Sequence, residues 1–353
     1  LNRGYLERLA ALLVVPIALI FGAACSGEEV MPAGAAATVS ATSSATTSTT
    51  IRLGEWFEPE ALNPALRNPA GYPASYALLM FRGLTRIDPL NGYEAAPDLA
   101  ESWTVSGDGL TYTFTLRQDV RWHDGEPFDA ADVVFTFDMI RDPANAATTA
   151  ADFALVESVE ATGTYEVVFK LSAPFAPLPK KLAVSIVPEH RLAGGDVRAS
   201  SFNQEPVGTG PYRFVEWRRG EFLTLERADT FEGPAPAINR VVISFVPDAT
   251  TRLQMVNNGT LDIAPISSLD VDRVREGVDV VQLPTSAPHA IAFNMNRPVW
   301  ADPAVRLAIN FALDREAMVD DVFGGAAQPA AGPLPNTVYV WADPEPFAFD
   351  LAR

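Results

Sequence analysis

From Val30 to Thr50 no residue is charged, and the stretch consists mainly of Ala, Ser and Thr, ending in SATSSATTSTT. A stretch without apolar periodicity cannot offset, by burial, the conformational entropy lost on ordering it. It therefore bounds any globular structure: the fold is built from about Ile51 onward, and residues 26–50 read as a disordered tether. A flexible coil over Val30–Thr50 spans roughly 25 Å, enough to hold a domain off a surface. The rest of the 353 residues, in a sequence 48% hydrophobic and 20% charged, has ample apolar material for packed cores. A single core stops growing at roughly 250–300 residues, so two or more domains are expected.

Ahead of the tether, Arg3 and Arg8 precede an uncharged run, Leu9–Ala24, broken by Pro16. As a helix it would rise roughly 24 Å, short of a hydrocarbon core of roughly 30 Å. A positive start, a short apolar run and small residues after it form an export signal, assigned here to residues 1–25. The single cysteine, Cys25, follows Gly22-Ala23-Ala24 and resembles a lipobox cysteine, with Gly22 where Leu is usual and Phe21 adjacent. The expectation is a lipid-modified Cys25 and an exported, membrane-anchored protein on the periplasmic side of the cell envelope.

Twenty-six Lys and Arg against 44 Asp and Glu give a formal charge of −18. That balance argues against neutralising phosphates, so nucleic acid is excluded as a partner. One cysteine also excludes an internal disulfide framework and a cysteine-based zinc cluster.

Helices are well punctuated. Asp129 caps a helix to Arg141 with Val133, Val134, Phe137 and Ile140 on one stripe and Pro143 beyond it. Asp248 caps a second, reaching Asn258 with Gly259 as its stop. Asp302-Pro303 opens a third with Val305, Ile309 and Leu313, and Asp314 a fourth ending at Gly324-Gly325. Tyr76–Leu84 reads as one more short helix. Ser102–Ser106 and Leu110–Leu116 around Gly107-Asp108-Gly109 read as a β-hairpin. Further strands are expected over 165–171, 222–225, 241–246 and 290–294. Strands and helices mixed at irregular spacing make the fold class α/β or α+β, in more than one domain.

No converging set of catalytic groups assembles, so no enzyme, cofactor or metal is expected. His123, His190 and His289 have no metal-ligand spacing, and there is no G-x-S-x-G elbow. Gly208-Thr209-Gly210 precedes Pro211 and a strand, which makes it a tight turn and not a phosphate loop. His123-Asp124 could suggest a catalytic pair, but adjacent side chains seldom share a site and Asp124-Gly125 is a turn signal. Asp129 and Asp132 could be acid and base, although a cap already explains Asp129. Asp88, Asn91 and Glu94 around Gly92 read as a turn rather than a calcium loop.

Several segments together resemble a known family. Residues 96–143 contain APDLAESW, GDGLTYTFTLR, WHDG and FDAADVV in succession. They are preceded by Leu62-Asn63-Pro64 and Phe81-Arg82-Gly83-Leu84. They are followed by Val207–Tyr212 (VGTGPY), Phe293-Asn294, Asp302–Arg306 (DPAVR) and Ala312–Arg315 (ALDR). Over 51–353 the sequence resembles the family 5 extracellular solute-binding proteins, the dipeptide and oligopeptide receptors of ABC importers.

The resemblance implies a two-lobed, periplasmic-binding-protein type II-like α/β fold with an inserted subdomain. Lobe I would comprise 51–92 and 206–287, the insertion 93–205, and the start of lobe II 288–353. The second lobe would be incomplete, the sequence being truncated at its C-terminal end. The resemblance further implies a monomer that captures short peptides, or a related solute such as a nickel chelate, haem or a sugar, by lobe closure. It would deliver them to membrane permease subunits. Matching positions offer Asn68 and Tyr72, Ser267 and Ser268, and His289 and Asn294 as ligand contacts, with peptide held mainly by backbone hydrogen bonds. A non-transporting envelope sensor lipoprotein of the same fold, or a secreted hydrolase with a carboxylate pair, is the alternative.

Overall fold

The computed structural model describes residues 49–66, 74–88, 93–281, 290–330 and 349–350. The protein divides into two compact units, one up to Pro265 and one from Ile266. That division falls earlier than residue 288, where the sequence places the start of a second lobe.

The first unit contains two four-stranded sheets. One has the order β1-β10-β9-β8, with β1 Thr50–Glu55, β8 Tyr212–Arg218, β9 Phe222–Arg227 and β10 Arg240–Phe245. β1 and β10 run parallel, Leu53 opposite Ile243, although residues 56–239 lie between them in sequence. In β10 the alternation buries Val241, Ile243 and Phe245 on one face, as a strand period of two requires. The other sheet lies wholly within 93–205 and is antiparallel, in the order β4-β5-β7-β6. Its strands are β4 Ala100–Val105, β5 Thr111–Leu116, β6 Val156–Gly163 and β7 Glu166–Leu171. β4 and β5 form the hairpin expected around Gly107-Asp108-Gly109. A two-stranded ladder, β2 Thr85–Asp88 with β3 Glu94–Pro97, completes the set.

The first two described helices of the unit are α1, Ala74–Met80, and α2, Ala130–Arg141. In α2, Asp129 accepts from Ala131 N and Asp132 accepts in return from Asp129 N, a capping box. Val133, Phe137 and Ile140 are fully buried, and the Phe137 ring meets Phe153 and Phe169 edge-on, each at 5.0 Å. Phe114 and Trp122, both within the family-like motifs, are core residues.

Two expected elements differ. The helix expected over 76–84 ends at Met80, because the backbone beyond it is taken by distant partners. Arg82 O accepts from Ile186 N, Gly83 O from Leu99 N, and Leu84 O from both Asp98 N and Ala100 N. Residues 290–294 are not a strand. An extended run becomes a strand only when a neighbour pairs its N–H and C=O groups, and no described segment does so here.

After α3, Ala249–Asn257, capped by Asp248 through Thr251 N at 2.7 Å, the second unit brings α4, Pro303–Ala312, and α5, Arg315–Phe323. Asp302 and Asp314 cap the latter two, and Gly324 ends α5 in the left-handed region at φ 58°. All three start where their Asp caps indicate. No described residue of the second unit is buried. No helix among the described residues is long and apolar enough to cross a membrane.

Candidate functional site

Ligands of open α/β sheets collect at the carboxyl ends of parallel strands. In the first unit three segments end side by side in this way. β10 pairs with β1 on one side, and on the other Ile263 forms a parallel bridge to Leu53. Gly54 N donates to Ile263 O and Asp262 N to Arg52 O, both at 2.8 Å. The Asp262 carboxylate in turn accepts from Arg52 N at 2.7 Å and from its guanidinium at 2.9 and 3.0 Å. The approach is close at Gly54, where a Cβ would stand 2.6 Å from Leu261 Cδ1 and would require that side chain to shift.

The three ends carry Glu55-Trp56, Val246-Pro247 and Ala264-Pro265. Arg252, on α3 and buried, sits among them and donates to Val246 O at 2.6 Å, Pro247 O at 2.8 Å and Pro265 O at 3.0 Å. The Glu55 carboxylate accepts no hydrogen bond among the described residues; burial pushes its carboxyl up, opposed by the charge of Arg252. Tyr76 on α1 has a buried hydroxyl without a hydrogen-bond partner among the described residues. Burial, then the Glu55 and Glu58 carboxylates, push that phenol well above its ordinary range. Trp56 is 55% exposed. Among the described residues the strand ends thus gather a carboxylate without a hydrogen bond, a buried hydroxyl without a partner and an exposed indole.

The backbone leaving β1 is fixed before it reaches 67–73. The Glu58 carboxylate accepts from Gly220 N and from Trp217 Nε1, both at 3.0 Å. Arg219 stacks 3.5 Å over the Trp217 ring and donates back to Pro59 O at 3.0 Å and Glu60 O at 2.8 Å. Leu62 N donates to Asn203 O, and the Asn63 amide to Asn203 Oδ1 in a buried contact.

Of the contact residues named from the sequence, Asn68, Tyr72 and His289 lie outside the described residues, as does Cys25. Ser267 Oγ accepts locally from Leu269 N and caps the 3-10 turn that Ser268 opens. The Asn294 side chain accepts from Asn296 N in a local turn. These three belong to the second unit. Sequence reasoning missed Glu55, Trp56 and Arg252, because their convergence depends on pairing β1 with a strand far along the sequence.

His123, Asp124 and Asp132, which a catalytic reading would single out, have structural partners. His123 Nε2 donates to Gly210 O at 2.9 Å while its Nδ1 accepts from Gly208 N at 3.2 Å, so the ring clamps the 208–210 turn. Asp124 turns away from it and pairs with His190 Nε2 at 2.9 Å. Asp132 accepts from Trp122 Nε1, Asp129 N and Glu189 N inside the core. Among the described residues no group of His, Cys, Asp and Glu is arranged to hold a metal ion.

A sequence model of the bacterial extracellular solute-binding proteins, family 5 (middle region), matches residues 94–353. The chain belongs to this family. It is 34% identical over 290 residues to Protein XP55 of Streptomyces lividans, covering 81% of this chain and 52% of that protein. It is 32% identical over 294 residues to a probable di/tripeptide-binding protein of Pseudomonas aeruginosa, covering 76% and 56% respectively. The structure superposes on NikZ of Campylobacter jejuni, solved with Ni(L-His), with a TM-score of 0.75 at 30% identity over 85% of this chain and 60% of that one. The fold is therefore the mixed α/β fold of the periplasmic binding proteins. The chain spans about half the length of the curated relatives it matches.

Proposed function

We propose that this member of family 5 is the exported substrate-binding receptor of an ABC-type importer and takes short peptides or a related small solute. The observation that carries the reading is the convergence of Glu55, Trp56, Tyr76 and Arg252 at the carboxyl ends of parallel segments. The peptide-binding names of its relatives support the solute class. The lobes are drawn as 51–92 with 206–287, an insertion over 93–205 and a second lobe from 288, with Asn68, Tyr72, Ser267, Ser268, His289 and Asn294 as further solute contacts. Solute is captured by lobe closure and handed to permease subunits by a monomeric receptor that performs no bond chemistry.

Calorimetric titration of the protein purified from its native envelope tests this. The titrants are dialanine, trialanine, a nickel–histidine chelate and maltose. A peptide is expected to give saturable heat, weakened about tenfold by Glu55→Gln, the loss of one charge-assisted contact. Heat from the chelate or sugar alone would change the solute class; heat from none would overturn the receptor reading.

The attachment is proposed at Cys25, with the stretch from residue 26 to the start of β1 as the tether; the strand takes in Thr50, which the sequence places at the end of the tether. Metabolic labelling with palmitate should mark the protein, and Cys25→Ala should abolish the label and release the protein from the membrane fraction. An unlabelled protein whose location is indifferent to Cys25→Ala would remove the anchor.

A further inference from the structure

A buried guanidinium is costly unless its donors are used, and it is normally matched with a carboxylate. Arg252 is buried, yet its guanidinium donates to three main-chain carbonyls. Val246 and Pro247 follow β10 directly, and Pro265 follows the segment bridged to β1. These are carbonyls that a longer ladder would have paired; where the sheet stops, the planar fork of Arg supplies charge-assisted donors in their place. Val246 N also donates to Glu55 O at 2.7 Å, so the end of β1 is tied into the same knot. Pro265 is the last residue of the first compact unit.

We propose that Arg252 is a positioning residue that locks together the ends of β1, β10 and the 261–265 segment, and so fixes Pro265 as the rigid point from which the backbone departs into the second unit. The structural case stands on the three carbonyl contacts and the location of Pro265. Its importance for solute capture rests on the receptor reading above. Two acids lie in the electrostatic reach of Arg252, Glu55 at the end of β1 and Asp248 at the start of α3. The guanidinium is nonetheless directed at the strand-end carbonyls. The lock is therefore a matter of carbonyl geometry, which a lysine ammonium, a point charge on a flexible stem, reproduces poorly.

Native-state amide hydrogen exchange on the full-length protein tests it. In Arg252→Lys, the amides of Gly54, Val246, Asp262 and Ile263 should exchange about tenfold faster or more, while Leu223, Leu225 and Ile243 in the same sheet stay within about twofold. A uniform rise over all seven makes Arg252 an ordinary stability residue and overturns the proposal, as does no change at the first four. If the variant fails to fold, the unsubstituted protein decides. Asp262 and Ile263 should then exchange with the β10 amides, and protection should drop about tenfold beyond Pro265; a drop before Asp262, or none at Pro265, overturns it. Because exchange needs no solute, these outcomes are separate from the titration. Peptide binding with unchanged exchange removes the lock alone, and locked exchange without binding by any probe removes the receptor reading alone.

Discussion

Gly208→Ala should destabilise the first unit by more than about 3 kcal/mol, at the extreme of single substitutions. A Cβ at 208 would stand 1.8 Å from Met80 O and 2.7 Å from Met80 C, and both are backbone atoms at the end of α1. No side-chain rotation relieves such a clash. The turn would have to lift from the helix, breaking the 2.8 Å bond from Gly210 N to Met80 O, which occupies one of the carbonyls a helix end leaves unpaired. The His123 clamp on Gly208 and Gly210 would be lost with it. Gly107→Ala is the control. A Cβ at 107 meets nothing within 4 Å, so its effect should lie within about 0.5 kcal/mol. Urea unfolding of both variants is the measurement, and a Gly208→Ala cost below about 1 kcal/mol would show that the turn can shift freely.

The second large effect is a pH dependence carried by His123. Burial, the largest cause, lowers its pKa from 6.5 to about 4, against a smaller opposing pull from Gly210 O. The unfolded protein therefore takes up this proton first as pH falls. Above the unfolded value both states are neutral and the stability is complete. Between about 6.5 and about 4 it drains away, and below about 4 the loss levels off. At about 1.4 kcal/mol per pKa unit the loss is of order 3 kcal/mol. Burial raises the carboxyls of Asp98 and Asp132, so they bind protons more tightly in the folded state and act in the opposite sense. The His123 contribution is thus read from the difference between the parent protein and His123→Gln, whose amide can donate to Gly210 O and accept from Gly208 N without titrating. A difference between about pH 7 and about pH 4.5 of less than about 1 kcal/mol would mean that the ring is charged in the folded state.

His123 also illustrates why catalytic-looking residues mislead. Side by side in sequence, His123 and Asp124 suggest a pair, yet the hairpin-like turn Trp122–Gly125 sends one inward to a backbone turn and the other outward to His190. Asp129 and Asp132 allow two readings, acid and base or cap, and the capping box with its Trp122 and Glu189 partners decides for the cap. Glu55 escaped notice for the opposite reason. An acidic residue at the end of a short strand has no local signal, and only the neighbours brought by β10 and 261–265 make it unusual.

What the sequence alone determined is whatever nearby residues specify. The Asp caps of α2 to α5, the hairpin at 107–109, the 208–210 turn and the family motifs all act within a few residues, so they are legible without knowing the fold. The tertiary structure decided what depends on distant partners. It ended α1 at Met80, withheld a strand from 290–294, and set β1 parallel to β10 across the intervening 56–239. A parallel pair has no turn to announce it; its register follows from burying Val241, Ile243 and Phe245 while the strand-end carbonyls find Arg252. The candidate site is a product of that pairing, which is why the family could be read from the sequence and the residues at the strand ends could not.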